Sequence, residues 1–241
     1  MENIKPYSKE DGTKKVQVTQ MFDKIAGNYD RLNKLITFGM DRGWRKNVLN
    51  LINAQQPKNI LDIATGTGDM LMLYAQGNAK EILGIDISDG MLDVARDKIK
   101  AKHPDGNVRV ELGDAEQLKY EDQSFDAVSV TYGIRNFENL KQGLSEILRV
   151  LNDGGQCVIL ETSVPSNFIM KQGYLFYTKF IMPQWGRLFS KDKKAYSYLS
   201  DSALNFPYGE KMKSILLEVG FSKVNVLPQA GGISTIYEAY R

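Results

Sequence analysis

Cysteine occurs once in the chain, as Cys157, and histidine once, as His103. A lone cysteine excludes an intrachain disulfide framework and any zinc site built from several thiolates. A lone histidine excludes multi-imidazole metal sites and weakens any scheme that needs a histidine base. The default setting is a reducing, cytoplasmic compartment. No stretch approaches the ~20 consecutive apolar residues of a membrane span. The polar, mixed-charge run from Met1 to Lys15 is unlike a signal peptide. An excess of one charge is also missing: 31 Lys and Arg stand against 29 Asp and Glu, which argues against a strongly basic nucleic-acid binder. Repeats and low-complexity tracts are absent. What remains is a chain of 241 residues, 42% hydrophobic, with enough length and apolar content for one large domain with a sizeable core.

The near-zero charge is a cancellation. Residues 1–50 carry 10 basic and 6 acidic side chains, residues 51–170 carry 11 and 18, and residues 171–241 carry 10 and 5. Basic ends flanking an acidic middle favour contact with an anionic membrane surface, peripherally and from the cytoplasmic side.

Hydrophobic spacing sets out the elements. The run from Thr19 through Met21, Phe22, Ile25 and Ala26 predicts a Thr-capped helix, broken by Gly27-Asn28, with mobile residues 1–18 before it. A second helix is expected from Asp41 to about Asn53. Strands are expected at 59–64, 81–86, 107–112, 125–131 and 156–161, alternating with helices at about 69–76, after the Ser88 cap, and at 138–151. That alternation predicts right-handed βαβ units and a doubly wound, Rossmann-like, mostly parallel sheet. A helix over 208–219 and two closing strands, 222–227 and 233–240, complete seven strands with an antiparallel terminal hairpin. Residues 18–55 form an N-terminal helical cap segment in this scheme, and residues 164–206 a helical insert. The insert carries Phe168, Ile169, Met170, Tyr174, Phe176, Tyr177, Phe180, Ile181, Met182, Trp185 and Phe189. It reads either as a dimer face or cap core, or as the wall of a lipid groove.

The chemical signal begins at Asp62-Ile63-Ala64-Thr65-Gly66-Thr67-Gly68-Asp69, between a strand and a helix. Glycines there permit a tight turn and close backbone approach to a ligand. Leu71 stands where a dinucleotide fingerprint has its third glycine, and no Lys-Ser/Thr pair follows, so neither a dinucleotide loop nor a P-loop fits. Asp86 ends the second strand, where a carboxylate accepts hydrogen bonds from ribose hydroxyls. Asp114 and Ala115 follow the third strand, suited to an adenine edge. Together these three strand ends predict a nucleoside site.

Those residues resemble the S-adenosylmethionine site of class I methyltransferases, and two further stretches narrow the resemblance. Tyr29-Asp30-Arg31-Leu32-Asn33 running to Trp44, and Arg149-Val150-Leu151-Asn152-Asp153-Gly154-Gly155 running to Glu161-Thr162-Ser163, resemble the paired signatures of the ubiquinone/menaquinone biosynthesis C-methyltransferases. Tyr132-Gly133-Ile134-Arg135-Asn136 is similar to that family as well. The likeness runs from about Val18 to Arg241. The chain departs from the pattern at Leu32, Thr37, Asp41 and Asn152-Asp153; Asp41 replaces a histidine.

The resemblance implies one class I domain over 1–241 and methyl transfer from S-adenosylmethionine to a ring carbon of a polyprenylated quinol, a naphthoquinol being preferred, with a benzoquinol or another small lipophilic acceptor as the alternatives. It also implies roles. Asp62, Gly66, Thr67, Gly68 and Thr131 would lie at the methionine and sulfonium, Asp86 at the ribose, and Asp114 with Ala115 at the adenine. Arg135 and Asn136 would meet the quinol, and Tyr29 would close over it. Thr131-Tyr132-Gly133-Ile134 lacks the clamp used on flipped nucleic-acid bases, so no nucleic acid is expected. A homodimer through the insert is a further expectation. His103 and Cys157 carry no chemistry in this scheme.

Overall fold

The computed structural model describes residues 4–7, 12–103, 106–181, 184 and 193–241. Seven strands form one sheet: β1 Asn59–Ile63, β2 Glu81–Asp86, β3 Val108–Leu112, β4 Phe125–Thr131, β5 Leu151–Thr162, β6 Lys223–Gln229 and β7 Ser234–Tyr240. Their order is β3-β2-β1-β4-β5-β7-β6. The first five run parallel, and β7 is antiparallel to both β5 and β6. The doubly wound sheet with an antiparallel hairpin is as expected.

Alternation sorts the strand residues onto two faces. Leu61, Ile63, Leu83, Ile85, Val128 and Val130 pack with Leu144 and Ile147 of α6 (Leu140–Val150) and Met212 and Leu216 of the helix Glu210–Val219, here α9. Ile60, Ile82, Ala127, Val158 and Leu160 pack on the other face. Their partners there are Trp44, Val48 and Ile52 of α3 (Asp41–Ala54) and Met70 and Tyr74 of α4 (Asp69–Tyr74). Helix α5 (Asp89–Lys102) starts at Ser88, whose side chain accepts from the Met91 amide. Cys157 lies wholly inside the first core, and burial pushes its thiol far up.

The N-terminal region departs from expectation. Helix α1 spans Lys14–Ile25 and is capped by Thr13, not Thr19. Residues 14–18 are therefore helical rather than loose. Two polar side chains hide this: Lys14 and Gln17 are buried with Val18, Met21 and Ile25. Lys14 is held by carbonyls of another element, and Gln17 Oε1 accepts from the Tyr7 amide. Gly27-Asn28 forms a single tight turn rather than a break, and a further helix, α2 (Tyr29–Ile36), follows directly. Strand β5 begins at Leu151 instead of Gln156, because a bulge at Asn152–Gly155, with Gly154 at φ 75°, keeps it paired with β4.

In the insert, α7 (Phe168–Phe176) passes into a π-helical turn, Tyr177–Ile181, and α8 spans Lys193–Asn205. Helix α8 sends Ala195, Tyr198 and Leu199 into a third core with α1 and α5. Helix α7 has no buried residue, so the cap-core reading fails for it. Met182, Trp185 and Phe189 lie outside the described residues. No helix among the described residues is long and apolar enough to cross a membrane.

Candidate functional site

Three adjoining cavities open at the carboxyl ends of β1, β2, β3 and β4, where open α/β sheets bind ligands. The first is lined by Gly66, Asp86, Asp114, Ala115, Thr131 and Asn136, and roofed by Lys15 and Phe22 of α1 and Tyr29 of α2. The second continues past Gly66 to Asp62, Thr67 and Asp69. The third, about 350 Å³, is mainly apolar and lies between α2, α3 and α7, with Trp44, Met170 and Tyr174 among its walls. Tyr29 borders all three, and Thr131 borders the first two.

The backbone that makes this junction is strained. Ala64, after β1, has φ 53°, and Tyr132, after β4, has φ 57°. Both are in the left-handed region that L residues avoid. A Cβ at Gly133 would run into the Cβ of Ala64, so only glycine lets the two loops approach this closely. Gly68 (φ 80°) caps α4 and does not line a cavity; a Cβ there would lie 3.1 Å from that of Ala95. Its role is packing against α5. Leu71 lies fully buried beside Gly84 of β2, whose missing side chain makes room for it.

One buried carboxylate faces each of the first two cavities, Asp86 the first and Asp62 the second. Asp86 accepts from the amides of Gly66 and Ser88, each at 2.9 Å. Asp62 accepts from the hydroxyls of Thr65 at 2.6 Å and Ser129 at 2.5 Å. Burial pushes both carboxyls up to about 6. Three backbone amides, those of Ser88, Gly66 and Ile87, act on the Asp86 carboxylate, and its four lone pairs leave room for a further donor. The Thr131 hydroxyl is buried without any partner, a group left for a ligand atom. A nucleoside with a polar tail fits this donor and acceptor set.

The N-terminal segment supplies what reading along the chain missed. Lys15 pairs with Asp114 at 2.6 Å, so the acidic group predicted to meet an adenine already holds a lysine. Thr67 donates to Asp30 at 2.5 Å, and Lys98 bridges Asp30 and Asp69 at 2.6 and 2.7 Å. Asp23 accepts from the Ser88 hydroxyl at 2.6 Å. Lys14 donates to the carbonyls of Arg135 and Phe137; burial lowers its amine to about 8.

Arg135 lines the third cavity with its side chain only 8% exposed. It donates to fully buried Glu161 at 2.6 Å and to the Tyr132 carbonyl at 2.9 Å, and its Nε has no partner. It is a buried ion pair, not a surface one. Asn136 is separated from it: it lines the first cavity, and its Oδ1 accepts from the Tyr198 hydroxyl at 3.1 Å. Asp41 borders the third cavity, accepting from Thr37 at 2.7 Å and from Arg45 at 3.4 Å. Tyr132 hydrogen-bonds Ser234 at 3.1 Å. Glu161 carries no local sequence signal for its pairing, because Arg135 lies on another element, whereas Asp41 and Arg45 are spaced i,i+4 on one helix.

Removing Glu161 leaves a buried, unpaired guanidinium. We expect Glu161→Ala to lower unfolding free energy by about 3–5 kcal/mol, and Glu161→Gln by less. Urea unfolding measures both, and an unchanged midpoint for Glu161→Ala would contradict the pairing.

Comparison with known proteins accords with this geometry. The chain is 45% identical over 239 residues to a demethylmenaquinone methyltransferase of Bacteroides fragilis, covering 99% of this chain and 97% of that one. It is 41% identical over 223 residues to a ubiquinone/menaquinone biosynthesis C-methyltransferase of Geobacter sulfurreducens, covering 92% and 87%. In fold it is similar to a SAM-dependent methyltransferase of Thermotoga maritima, with TM-score 0.62, 18% identity, and coverage of 92% and 98%. The model of the ubiE/COQ5 methyltransferase family matches residues 10–241, and the chain belongs to that family.

Proposed function

We propose that this chain transfers a methyl group from S-adenosylmethionine to a ring carbon of a polyprenylated naphthoquinol, converting a demethylmenaquinol to the menaquinol. The observation that carries this reading is the shared wall. A cavity that holds the buried Asp86 and the unpartnered Thr131 hydroxyl meets a larger, more apolar cavity at Tyr29 and Tyr132. The full-length likeness to demethylmenaquinone methyltransferases supports the choice of acceptor.

S-adenosylmethionine supplies a methyl already made electrophilic by its sulfonium. The chain has to align, exclude water and balance charge. Asp86 would accept from both ribose hydroxyls, and Ala115 with Asp114 would flank the adenine. Gly66 and Thr67 would hold the amino-acid tail beside Asp62, with Gly68 shaping the turn. Thr131 would present its free hydroxyl next to the sulfur. Arg135 faces the apolar cavity from behind. It would stabilise the developing phenolate, directly or through one water, with Glu161 fixing its orientation. Asn136 would act from the donor side rather than on the quinol. Tyr29 would close over the reacting atoms, and its burial keeps the phenol protonated. The N-terminal segment 18–55 and the insert 164–206 serve as covers of a single domain in this scheme.

The same reading places the protein on a membrane surface. Phe168 is 73% and Ile169 80% exposed, and Phe38, Met40, Phe176 and Phe180 are exposed with them. Phe38 packs on Tyr177, a cavity wall, at 5.9 Å, so the patch borders the mouth. Lys34, Lys171 and Lys179 are exposed on the same segments. Apolar side chains rimmed by lysines suit the interface of an anionic bilayer, where the quinol's tail resides.

Three measurements check this. Transfer of labelled methyl to demethylmenaquinol should be detected, and Arg135→Ala should lower turnover about 100-fold or more with little change in donor affinity. No transfer to any quinol, or wild-type turnover in the variant, would contradict it. Asp86 has to be ionised to serve the ribose. Affinity for S-adenosylhomocysteine should therefore fall below about pH 6, by up to ~10-fold per pH unit. Asp86→Asn should bind more weakly at all pH values and lose the Asp86 part of this pH dependence, keeping the part set by Asp62, whose carboxyl is also pushed up to about 6. Finally, the chain should sediment with anionic but not neutral liposomes, and less so as Phe168→Ser/Ile169→Ser. Binding to neither would discard the membrane reading.

A further inference from the structure

Arg45 is the residue that the account above leaves without a task. It lies on α3 and borders both the tail cavity and the apolar cavity. Its side chain is 12% exposed. Its Nε donates to Asp41 at 3.4 Å, and its guanidinium stands 5.8 Å from the centre of the Tyr132 ring. The two terminal nitrogens make no hydrogen bond with any described residue. A guanidinium enclosed in this way is costly to bury unless its remaining donors meet acceptors.

The surroundings select which acceptor. Among the described residues lining the tail cavity, Arg45 is the one cation. The carboxylates of that cavity are already engaged: Asp69 by Lys98, and Asp62 by Thr65 and Ser129. On the apolar side Arg135 already provides a guanidinium. The tail cavity shares Tyr29, Ala64, Gly66 and Thr131 with the nucleoside cavity, so the tail of a bound nucleoside enters it. An acidic side and a guanidinium whose terminal nitrogens make no hydrogen bond with any described residue complement a zwitterion. Asp62 and Asp69 face an ammonium, and Arg45 faces a carboxylate in the planar fork that guanidinium favours.

We propose that Arg45 binds the α-carboxylate of the methyl donor's amino-acid tail. The assignment rests on the donor-site reading above. It also ties the two sites together. The side chain that grips the tail lies against Tyr132 and pairs with Asp41, both walls of the apolar cavity. A seated donor thus orders the face that the acceptor meets.

Calorimetric titration tests it with two probes, S-adenosylhomocysteine and its analogue lacking only the carboxylate, S-adenosyl-3-thiopropylamine. The unmutated chain should prefer the carboxylated probe by about 10- to 100-fold, the size of a charge-assisted, bidentate contact. Arg45→Met keeps the stem packed on Tyr132 and should erase that preference, binding both probes as the unmutated chain binds the decarboxylated one. Undiminished affinity for that probe reports an intact fold. Arg45→Lys should recover part of the preference. A preference retained in Arg45→Met would overturn the assignment, as would equal loss of both probes. If the unmutated chain binds neither probe, the donor-site reading itself falls, and this assignment with it.

Discussion

A guanidinium and a carboxylate 2.6 Å apart, both shut away from solvent, constrain most of what surrounds them. Burying two charges is expensive, and further hydrogen bonds offset part of that cost, although Arg135 Nε is left without a partner. Glu161, at the end of β5, also accepts from the amide and hydroxyl of Thr162. Arg135, in the turn after β4, also donates to the Tyr132 carbonyl. The turn so fixed offers the carbonyls of Arg135 and Phe137 to Lys14, and α1 docks there. The cover over the nucleoside cavity thus rests on a charge pair whose Arg135 also walls the acceptor cavity.

This arrangement makes two cavities share a boundary at Tyr29 and Tyr132. One holds a buried carboxylate and an unpartnered hydroxyl; the other is lined by rings and methylenes. Strain at Ala64 and Tyr132 is concentrated where they meet, and Gly133 allows the close approach. Strained backbone of this kind persists where the surrounding packing over-determines it. For a reaction whose electrophile arrives with the cofactor, alignment across that boundary and exclusion of water are the main tasks.

The central sheet was readable from sequence because strands buried on both faces are nearly continuous apolar runs between turn residues. Phe125–Thr131 is placed to the residue. The loop from Asp62 to Gly68, with Asp86 and Asp114, was readable because strand ends carry local signals. Errors arose where polar groups are buried by distant partners. Lys14 and Gln17 disguised the start of α1, since a lysine inside a helix face reads as solvated until the carbonyls of residues 135 and 137 are seen. Arg135 stands out in the sequence as a site residue, but nothing near it points to Glu161, 26 positions away. Asn136, its neighbour in sequence, turned to the other cavity. Arg45 gave no signal, because its significance lies in two nitrogens left unpaired by the fold.

The central claim is that donor and acceptor meet at the boundary formed by Tyr29 and Tyr132. A crystal structure with S-adenosylhomocysteine tests it most directly. The account predicts the ribose on Asp86, the sulfur beside the Thr131 hydroxyl, and an open path from that sulfur into the apolar cavity past Tyr29. A sulfur walled off from that cavity, or a nucleoside bound away from Asp86, would contradict it.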